Sequence, residues 1–143
     1  IEPAILLNKT FLIIDNKIDW IPSEEHSREK NFALSWFNQW RQQWQDQDLD
    51  HYIQNYSDEF SAPPFNKTTW LAHKKKLKDR YSYVKINTFE PNIIQLKNQY
   101  LIQFVQDYES DGHKDLGIKT LYVLKQGSSL KIKREEWAEL QNN

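Results

Sequence analysis

The chain has 143 residues, 38% of them hydrophobic and 27% charged, which is enough for one globular domain with its own core. Nineteen Lys and Arg residues against twenty Asp and Glu residues give a formal charge of −1, which argues against nucleic-acid binding. The absence of cysteine excludes disulfides, thiolate zinc sites and thiol nucleophiles. No apolar run approaches the roughly 18 residues of a membrane span. Because the chain begins at Ile1, we expect a piece of a longer protein, with any signal peptide outside it.

The N-terminal part of the chain predicts a hairpin followed by a long helix. Residues 4–21 are β-branched and apolar on both sides of Asp15-Asn16, as in two strands joined by a turn. Ser23 is a suitable N-cap, with acidic residues directly after it. Beyond it, apolar residues recur at helical spacing: Ala33, Trp36, Phe37, Trp40 and Trp44. This aromatic face would either pack in the core, which is the plainer interpretation, or line a ligand cavity.

Two further helices are predicted. Asp48 is a suitable N-cap for a short helix from Leu49 to about Tyr56, and the prolines of segment 61–65 end it. Asn66 is the next N-cap, and a third helix would run from Lys67 to about Tyr81. We expect this helix to carry Trp70, Leu77 and Tyr81 on one side and its basic residues on the other.

The remainder of the chain predicts strands. Residues alternate between apolar and polar in five segments: 82–90, 92–97, 99–109, 117–125 and 129–137. Helices followed by an antiparallel meander indicate an α+β fold, in which three helices pack on a curved antiparallel sheet behind a β-hairpin extension. We therefore divide the chain into a hairpin linker, residues 1–22, and a main domain, residues 23–143.

This element order, with Trp40-Arg-Gln-Gln-Trp44 and the segment from Asp48 to Phe60, resembles the nuclear-transport-factor-two-like (SnoaL-like) cone fold. More narrowly, the chain is similar to the accessory domain that follows the catalytic domain in some periplasmic murein L,D-transpeptidases and L,D-carboxypeptidases of the YkuD type. The segments that carry this narrower resemblance also include Trp70-Leu-Ala-His-Lys74, Phe104–Ser110, Lys119-Thr-Leu-Tyr122 and Glu136-Trp137.

One departure from that family decides what the resemblance implies. The YkuD catalytic domain depends on a His-Gly…Cys motif, and this chain has neither a cysteine nor a His-Gly pair. The resemblance therefore implies a non-catalytic accessory domain, without a cofactor, in the periplasm or cell envelope. Its partners would be a catalytic domain of the same chain and peptidoglycan fragments or glycan, with homodimerisation left open. The alternative is a stand-alone cone-fold protein, either a small-molecule binder or an isomerase or cyclase.

Cone folds leave a pocket between helix and sheet, which we expect here between the first helix and the meander, and alternation predicts what borders it. In the strand 99–109, Gln106 shares a face with apolar neighbours, so this polar group needs a partner. In the last strand, Arg134 and Glu136 share the face of Leu130 and Ile132, unless they lie at a frayed end and point to water. The predicted pocket residues are Trp40, Tyr52, Tyr56, Gln106, Tyr108, Arg134 and Glu136.

The densest charge cluster is the basic run of the third helix. Lys74, Lys75, Lys78 and Arg80 are predicted to form a basic surface patch, which is either a solvated helix face or a docking site for an anionic polymer. No metal site is expected, because the four histidines are scattered and the acidic run 46–50 lacks the glycine and distal glutamate of an EF-hand loop. No serine-nucleophile motif is present either.

Overall fold

The computed structural model of the chain describes residues 11–14, 17–20 and 23–140, apart from the side chains of residues 11–26 and Glu90. Its helices are α1 (Ser23–Gln45), α2 (Leu49–Tyr52), which continues into a 3-10 turn (Ile53–Asn55), and α3 (Lys67–Arg80). Its strands are β1 (Phe11–Ile14), β2 (Lys17–Trp20), β3 (Tyr56–Ala62), β4 (Phe65–Asn66), β5 (Val84–Leu96), β6 (Gln99–Ser110), β7 (Lys114–Gln126) and β8 (Ser129–Glu139).

The strands form one curved sheet in the order β2-β1-β5-β6-β7-β8-β3-β4. Strands β5 to β8 are an antiparallel meander, as predicted. Two pairs are parallel, β1 with β5 and β3 with β8, so the sheet is mixed. The predicted α+β fold, with three helices on a curved sheet, is thus confirmed.

The meander differs from the prediction at its first strand. Segments 82–90 and 92–97 are a single strand, β5, with a register shift between Phe89 and Asn92. Pro91 lies at this shift, and because proline has no N–H it removes one hydrogen bond from the ladder. The predicted break between the two segments is therefore only a local irregularity within a continuous strand.

Strand β3 was not predicted. The sequence from Tyr56 onwards was assigned to the end of a helix and a loop, whereas α2 ends at Tyr52 and Tyr56–Ala62 is a strand. Its partner is β8, more than 70 residues away in sequence, with Tyr56 opposite Ile132. Pairing over such a distance leaves no local signal, and it overrides the weak helical pattern.

The predicted hairpin is described only in part. Strands β1 and β2 pair antiparallel, with Ile14 opposite Lys17. The predicted turn at Asp15-Asn16, residues 4–10 and Ile21 lie outside the described residues, as does the side chain of Ser23, the predicted N-cap. The proposed boundary between residues 22 and 23 remains a prediction.

The aromatic face of α1 packs on the meander and forms the core. Phe37 contacts Phe104 edge to face at 4.7 Å between ring centroids, and Trp44 lies 5.8 Å from Tyr108. Trp40 is fully buried, so core packing is the correct interpretation for it. Burying each such ring contributes about 2 to 3 kcal/mol. The polar side of α1 is fixed to β5, because Gln45 Oε1 accepts a 3.0 Å hydrogen bond from Ile86 N–H.

Helix α3 begins at a capping box, as the sequence predicts for Asn66. The Asn66 side chain accepts a 3.0 Å hydrogen bond from Thr69 N–H, and Thr69 Oγ1 accepts one of 2.9 Å from Asn66 N–H. Reciprocal caps of this kind contribute about 1 kcal/mol and fix where the first turn starts. The cap therefore sets which residues of α3 face the sheet.

Candidate functional site

A cavity of about 610 Å³ lies between α3, the β3–β4 turn and the concave face of β6, β7 and β8. Its walls are largely aromatic: Trp44, Phe65, Trp70, Tyr81, Tyr108 and Trp137. Its polar and charged lining consists of His73, Lys74, Gln106, His113, Asp115, Lys119, Glu135 and Glu136. A mainly apolar concavity of this volume with a few convergent polar groups is typical of a small-molecule site.

The register of β6 and β7 places four polar side chains on the concave face. Gln106 pairs with Gly117, and the flanking pairs are Phe104 with Lys119 and Tyr108 with Asp115. Side chains of directly paired residues lie on the same face of a sheet. Gln106, Tyr108 and the acid Asp115 therefore project into the cavity beside Lys119.

A bulge in β8 decides which acid enters the cavity. Val123 pairs with Ile132 and Tyr122 pairs with Arg134, so Lys133 is an extra residue without a partner. An inserted residue shifts the alternation by one position. Beyond the bulge, Glu135 takes the inner face and is only 8% exposed.

The prediction that Arg134 and Glu136 both border the cavity is therefore wrong for Arg134, whereas Glu136 is among the lining residues. Arg134 does not line the cavity, and its guanidinium binds Glu136 Oε1 at 2.8 Å with both side chains about half exposed. Glu136 reaches the edge of the cavity, but the Tyr122 hydroxyl also donates to its carboxylate, at 3.0 Å on the outer face. A bulge cannot be inferred from alternation, which is why the inner acid was missed.

The floor of the cavity is a buried hydrogen-bond network that ends on Glu135. Trp70 Nε1 donates to the Tyr52 hydroxyl at 3.2 Å, and the Tyr52 and Tyr56 hydroxyl oxygens are 2.6 Å apart. Tyr56 in turn donates to Glu135 Oε1 at 2.5 Å and accepts from Trp40 Nε1 at 3.1 Å. Tyr52 and Tyr56 meet from α2 and β3, not from one helix as predicted.

Three of the predicted pocket residues lie beneath the cavity and do not line it. Trp40, Tyr52 and Tyr56 are buried below the lining, whereas Gln106 and Tyr108 belong to it. Burial, reinforced by the charge of Glu135, raises the pKa of both Tyr52 and Tyr56 well above 10.0. Both phenols are therefore protonated at neutral pH and act as hydrogen-bond donors.

The second oxygen of Glu135 forms an ion pair with Lys119. Lys119 Nζ lies 3.4 Å from Glu135 Oε2, and both side chains are almost fully buried. The same ammonium lies 4.4 Å from the centroid of the Trp44 ring, within cation–π range. Each carboxylate oxygen of Glu135 therefore has a partner, Tyr56 on Oε1 and Lys119 on Oε2.

Lys74 enters the cavity from α3, which corrects the predicted basic patch. It is four residues after Trp70 and three before Leu77, so it lies on the inner face of the helix and is only 8% exposed. Its Nζ lies 4.4 Å from the Trp44 ring centroid and 4.6 Å from that of Trp70. Burial, followed by the neighbouring charge of Lys119, lowers the pKa of Lys74 to about 7.

The other members of the patch, Lys75, Lys78 and Arg80, are exposed. Lys78 Nζ donates to the carbonyl oxygen of Gln47 at 3.0 Å. Together with Lys76, which is also exposed, they leave four cations on the outer side of α3.

Gln106 is the polar residue whose need for a partner the sequence predicts. It is only 3% exposed, and its Oε1 accepts no hydrogen bond from the described residues. Beside it at the rim, His113 Nε2 lies 2.6 Å from Asp115 Oδ2. An unsatisfied buried acceptor costs about 1 to 3 kcal/mol, and the fold carries this cost at a residue that lines the cavity.

Several site residues escaped sequence reasoning. Trp70 was predicted on the apolar side of the third helix but not in the pocket, and Trp137, Lys119 and Glu135 were not assigned to the cavity. Lys119 pairs with Phe104, so its inward position follows from the register of β6 and β7. That register could not be predicted from the sequence.

No group of His, Asp and Glu side chains suited to a metal ion is found in the described part of the chain. Within the same residues, none of the helices has the length and apolar character needed to cross a membrane.

Comparison with known proteins places the domain. Residues 33–136 match the family model of the Cds6 C-terminal NTF2-like domain. A structure of Bd1075 from Bdellovibrio bacteriovorus is 39% identical with a TM-score of 0.84, over 91% of this chain and 47% of that one. The helical cell shape determining protein Pgp2 from Campylobacter jejuni is 28% identical with a TM-score of 0.56, over 68% of this chain and 37% of that one.

Proteins of much lower sequence identity share the fold. A putative scytalone dehydratase from Novosphingobium aromaticivorans has a TM-score of 0.72 at 10% identity, over 84% of this chain and 89% of that one, and shows the fold alone. No protein with a curated description matches the chain. The chain spans less than half the length of Bd1075 and of Pgp2. Because the family model covers most of the sequence, the chain belongs to the Cds6 C-terminal NTF2-like domain family.

Proposed function

We propose that this chain is a non-catalytic accessory domain of a cell-wall protein of the L,D-transpeptidase type, and that its cavity binds a peptidoglycan fragment. The observation that carries the proposal is the cavity itself, whose aromatic walls surround a buried ammonium, Lys74, and an unsatisfied acceptor, Gln106. These groups are arranged for a polar ligand with both apolar faces and charge.

Peptidoglycan fragments have these properties. Their sugar rings present apolar faces that pack on indole rings, and Trp70 and Trp137 both line the cavity. Their stem peptides carry free carboxylates, which are suited to the Lys74 ammonium between the Trp44 and Trp70 rings. The volume of about 610 Å³ accommodates part of such a fragment, with the rest extending into solvent.

The relatives support a cell-wall role. Pgp2 is by its name a determinant of helical cell shape, and a domain of similar sequence and fold is contained within it. This chain spans only part of such proteins, and it has no cysteine to act as the nucleophile of L,D-transpeptidase chemistry. We therefore place catalysis in another domain of the parent protein, in the periplasm or cell envelope, and substrate binding or positioning here.

The test is calorimetric titration of a purified disaccharide-tetrapeptide muropeptide into the chain. Leu77→Trp would fill the cavity from α3, and Ala72→Trp places the same side chain on the exposed side of that helix. We expect binding by the parent and by Ala72→Trp, at least tenfold weaker binding by Leu77→Trp, and an uncleaved ligand throughout. Equal affinity of all three proteins, or turnover of the muropeptide, would reject the proposal.

A further inference from the structure

The outer face of the meander, on the side opposite the core, is apolar at positions where a solvated sheet face is usually polar. In β6 the residues that alternate with the buried ones include Leu101 and Val105, and in β7 they include Ile118 and Tyr122. An antiparallel sheet with one face in water alternates between apolar and polar residues, whereas strands covered on both faces are apolar throughout. At these positions the two strands have the sequence of a sheet that is covered on both sides.

Strand pairing gathers these residues into two apolar rows across the outer face. Side chains of directly paired residues lie on the same face of a sheet, so each row can be followed from strand to strand. The rows together form what we call the outer patch: Phe89, Val105, Ile118 and Ala138 in the first row, and Ile94, Leu101 and Tyr122 in the second.

In the described part of the chain, no helix covers the outer patch. Helix α1 packs on the inner face, where Phe37 and Trp40 contact Phe104, and α3 lies over the cavity on that same side. Phe89 is 53% exposed, and every other member of the patch is at least partly exposed. Contiguous apolar surface of this kind marks an interaction site.

The shape of the outer patch favours a flat partner over a small molecule. Small-molecule sites are concave, and the cavity already occupies the concave face of this sheet. The opposite, convex face buries its side chains best against another sheet, at a separation of about 10 Å. A second copy of this chain presents such a sheet.

Polar groups between the two rows bond to one another. Gln103 Nε2 donates to Thr120 Oγ1 at 3.3 Å. Glu136 accepts from the Tyr122 hydroxyl at 3.0 Å and pairs with Arg134 at 2.8 Å. Among the described side chains, the middle of the patch therefore has no unpaired charge. In a two-fold contact the same surface meets itself, and a neutral patch is complementary to its own copy.

The outer face is large enough for a dimer. The four strands β5 to β8, spaced about 4.8 Å apart and followed over about nine residues of about 3.4 Å, cover on the order of 600 Å² in projection. A stable interface buries about 800 Å² of accessible surface per partner, and the accessible surface of a face covered with side chains exceeds its projection. The formal charge of −1 also gives two copies little mutual repulsion.

We propose that two copies of this chain form a dimer through the outer patch, with their convex sheet faces packed on each other about a two-fold axis. The inference does not depend on the proposed function. Because the cavity lies on the opposite face of the sheet, both cavities stay open in the dimer and point away from the interface.

The test is sedimentation equilibrium of the purified chain from low to high micromolar concentration. We expect a monomer–dimer equilibrium that reaches the mass of two chains at the high end. Phe89→Ser removes the most exposed ring of the patch and should weaken dimerisation by about tenfold. Phe32→Ser is the matched control, since it removes a phenylalanine of α1 that is 39% exposed outside the patch, and it should leave dimerisation unchanged.

A second variant, Val105→Lys, places a charge in the first row. Two copies would then bring like charges together in an apolar contact, so this variant should remain monomeric at every concentration. Because position 105 faces away from the core, the variant should keep the circular dichroism spectrum of the parent.

Three results would overturn the inference. A parent chain that stays monomeric at the highest concentration would leave another domain of a longer protein as the occupant of the outer patch. A dimer that Phe89→Ser and Val105→Lys both leave intact would place the contact elsewhere. Larger aggregates in place of a dimer would contradict a two-fold contact, which closes at two copies. Muropeptide binding in the cavity is tested separately by the calorimetric titration, so failure of the dimer leaves the proposed function standing.

Discussion

The indole of Trp137 lies directly against the backbone of Gly117. A Cβ atom at position 117 would be 2.5 Å from Trp137 Cζ2 and 2.6 Å from the carbonyl oxygen of Ala138. Gly117 is also the residue paired with Gln106, so the absence of a side chain allows Trp137 to form the wall next to the unsatisfied amide oxygen. The shape of the cavity thus depends on a glycine that contributes no side chain to it.

Replacement of this glycine should disturb both the fold and the cavity. In Gly117→Ala the added methyl group must displace the Trp137 ring or the β8 backbone, and overpacking of this kind costs about 1 to 3 kcal/mol. Urea denaturation should show a lower free energy of unfolding, with a changed Trp137 indole resonance. Ser128→Ala, at an exposed turn, is the control, and equal stability of the two variants would contradict the close contact.

Adjacent glutamates of β8 should differ sharply in their effect on stability. Glu135→Ala leaves Lys119 buried without its counter-charge and removes the acceptor of Tyr56, a loss of about 3 to 5 kcal/mol. Glu136→Ala breaks a half-exposed ion pair with Arg134, for which about 0 to 1 kcal/mol is expected. Denaturation midpoints measure both, and similar losses would show that the β8 bulge does not place Glu135 inside.

The stability of the chain should depend on pH through Lys74. The folded protein lowers the pKa of this group from 10.5 to about 7, chiefly by burial, so between these values the unfolded chain binds a proton that the folded chain does not. The resulting destabilisation is fully present below about pH 7 and is lost as the pH rises toward 10.5.

Substitution of the lysine reveals this dependence. Lys74→Met should be more stable than the parent at pH 6, by on the order of a few kcal/mol, and this advantage should shrink steadily between pH 7 and pH 10. Lys75→Met, which alters an exposed residue, should show no such trend. A stability difference that is the same at every pH would mean that Lys74 keeps its ordinary pKa in the fold.

The sequence was sufficient for the parts of this structure that depend on local pattern. The aromatic repeat of α1, the Asn66 cap and the alternation of β6 each involve residues within one element, so they predicted the helices, the meander and the inward position of Gln106 correctly. A cavity was expected from the cone-fold resemblance, but between the first helix and the meander. There Phe37 and Trp40 pack on Phe104, and the cavity lies instead under α3.

The errors arise where distant segments meet. Strand β3 exists because it pairs with β8, and Glu135 faces inward because of an extra residue, Lys133, opposite β7. Neither feature can be recognised from the residues of a single segment. Lys74 is different, since its spacing from Trp70 and Leu77 already placed it on the apolar side of α3. Its charge suggested a solvated position, and helical periodicity was the better guide.

The exposed cations of α3 should produce a weak, salt-dependent attraction to anionic polymer. Charge reversal of Lys75 and Lys78 should reduce co-sedimentation with purified sacculi at low salt, by on the order of 1 kcal/mol or less per contact, and have little effect at high salt. The reversal Asp79→Lys, on the same exposed turn, should act in the opposite direction. Sedimentation that no reversal alters would identify this surface as solvated only.

Ligand binding in the cavity is most directly tested by the indole N–H resonances of the chain during titration with a disaccharide-tetrapeptide muropeptide. Trp44, Trp70 and Trp137 line the cavity, whereas Trp36 lies outside it and serves as an internal control. The account predicts saturable shifts of the three lining indoles, an unchanged Trp36 resonance, and loss of the shifts in Leu77→Trp. Unchanged lining resonances at saturating muropeptide, or shifts of Trp36 alone, would contradict it.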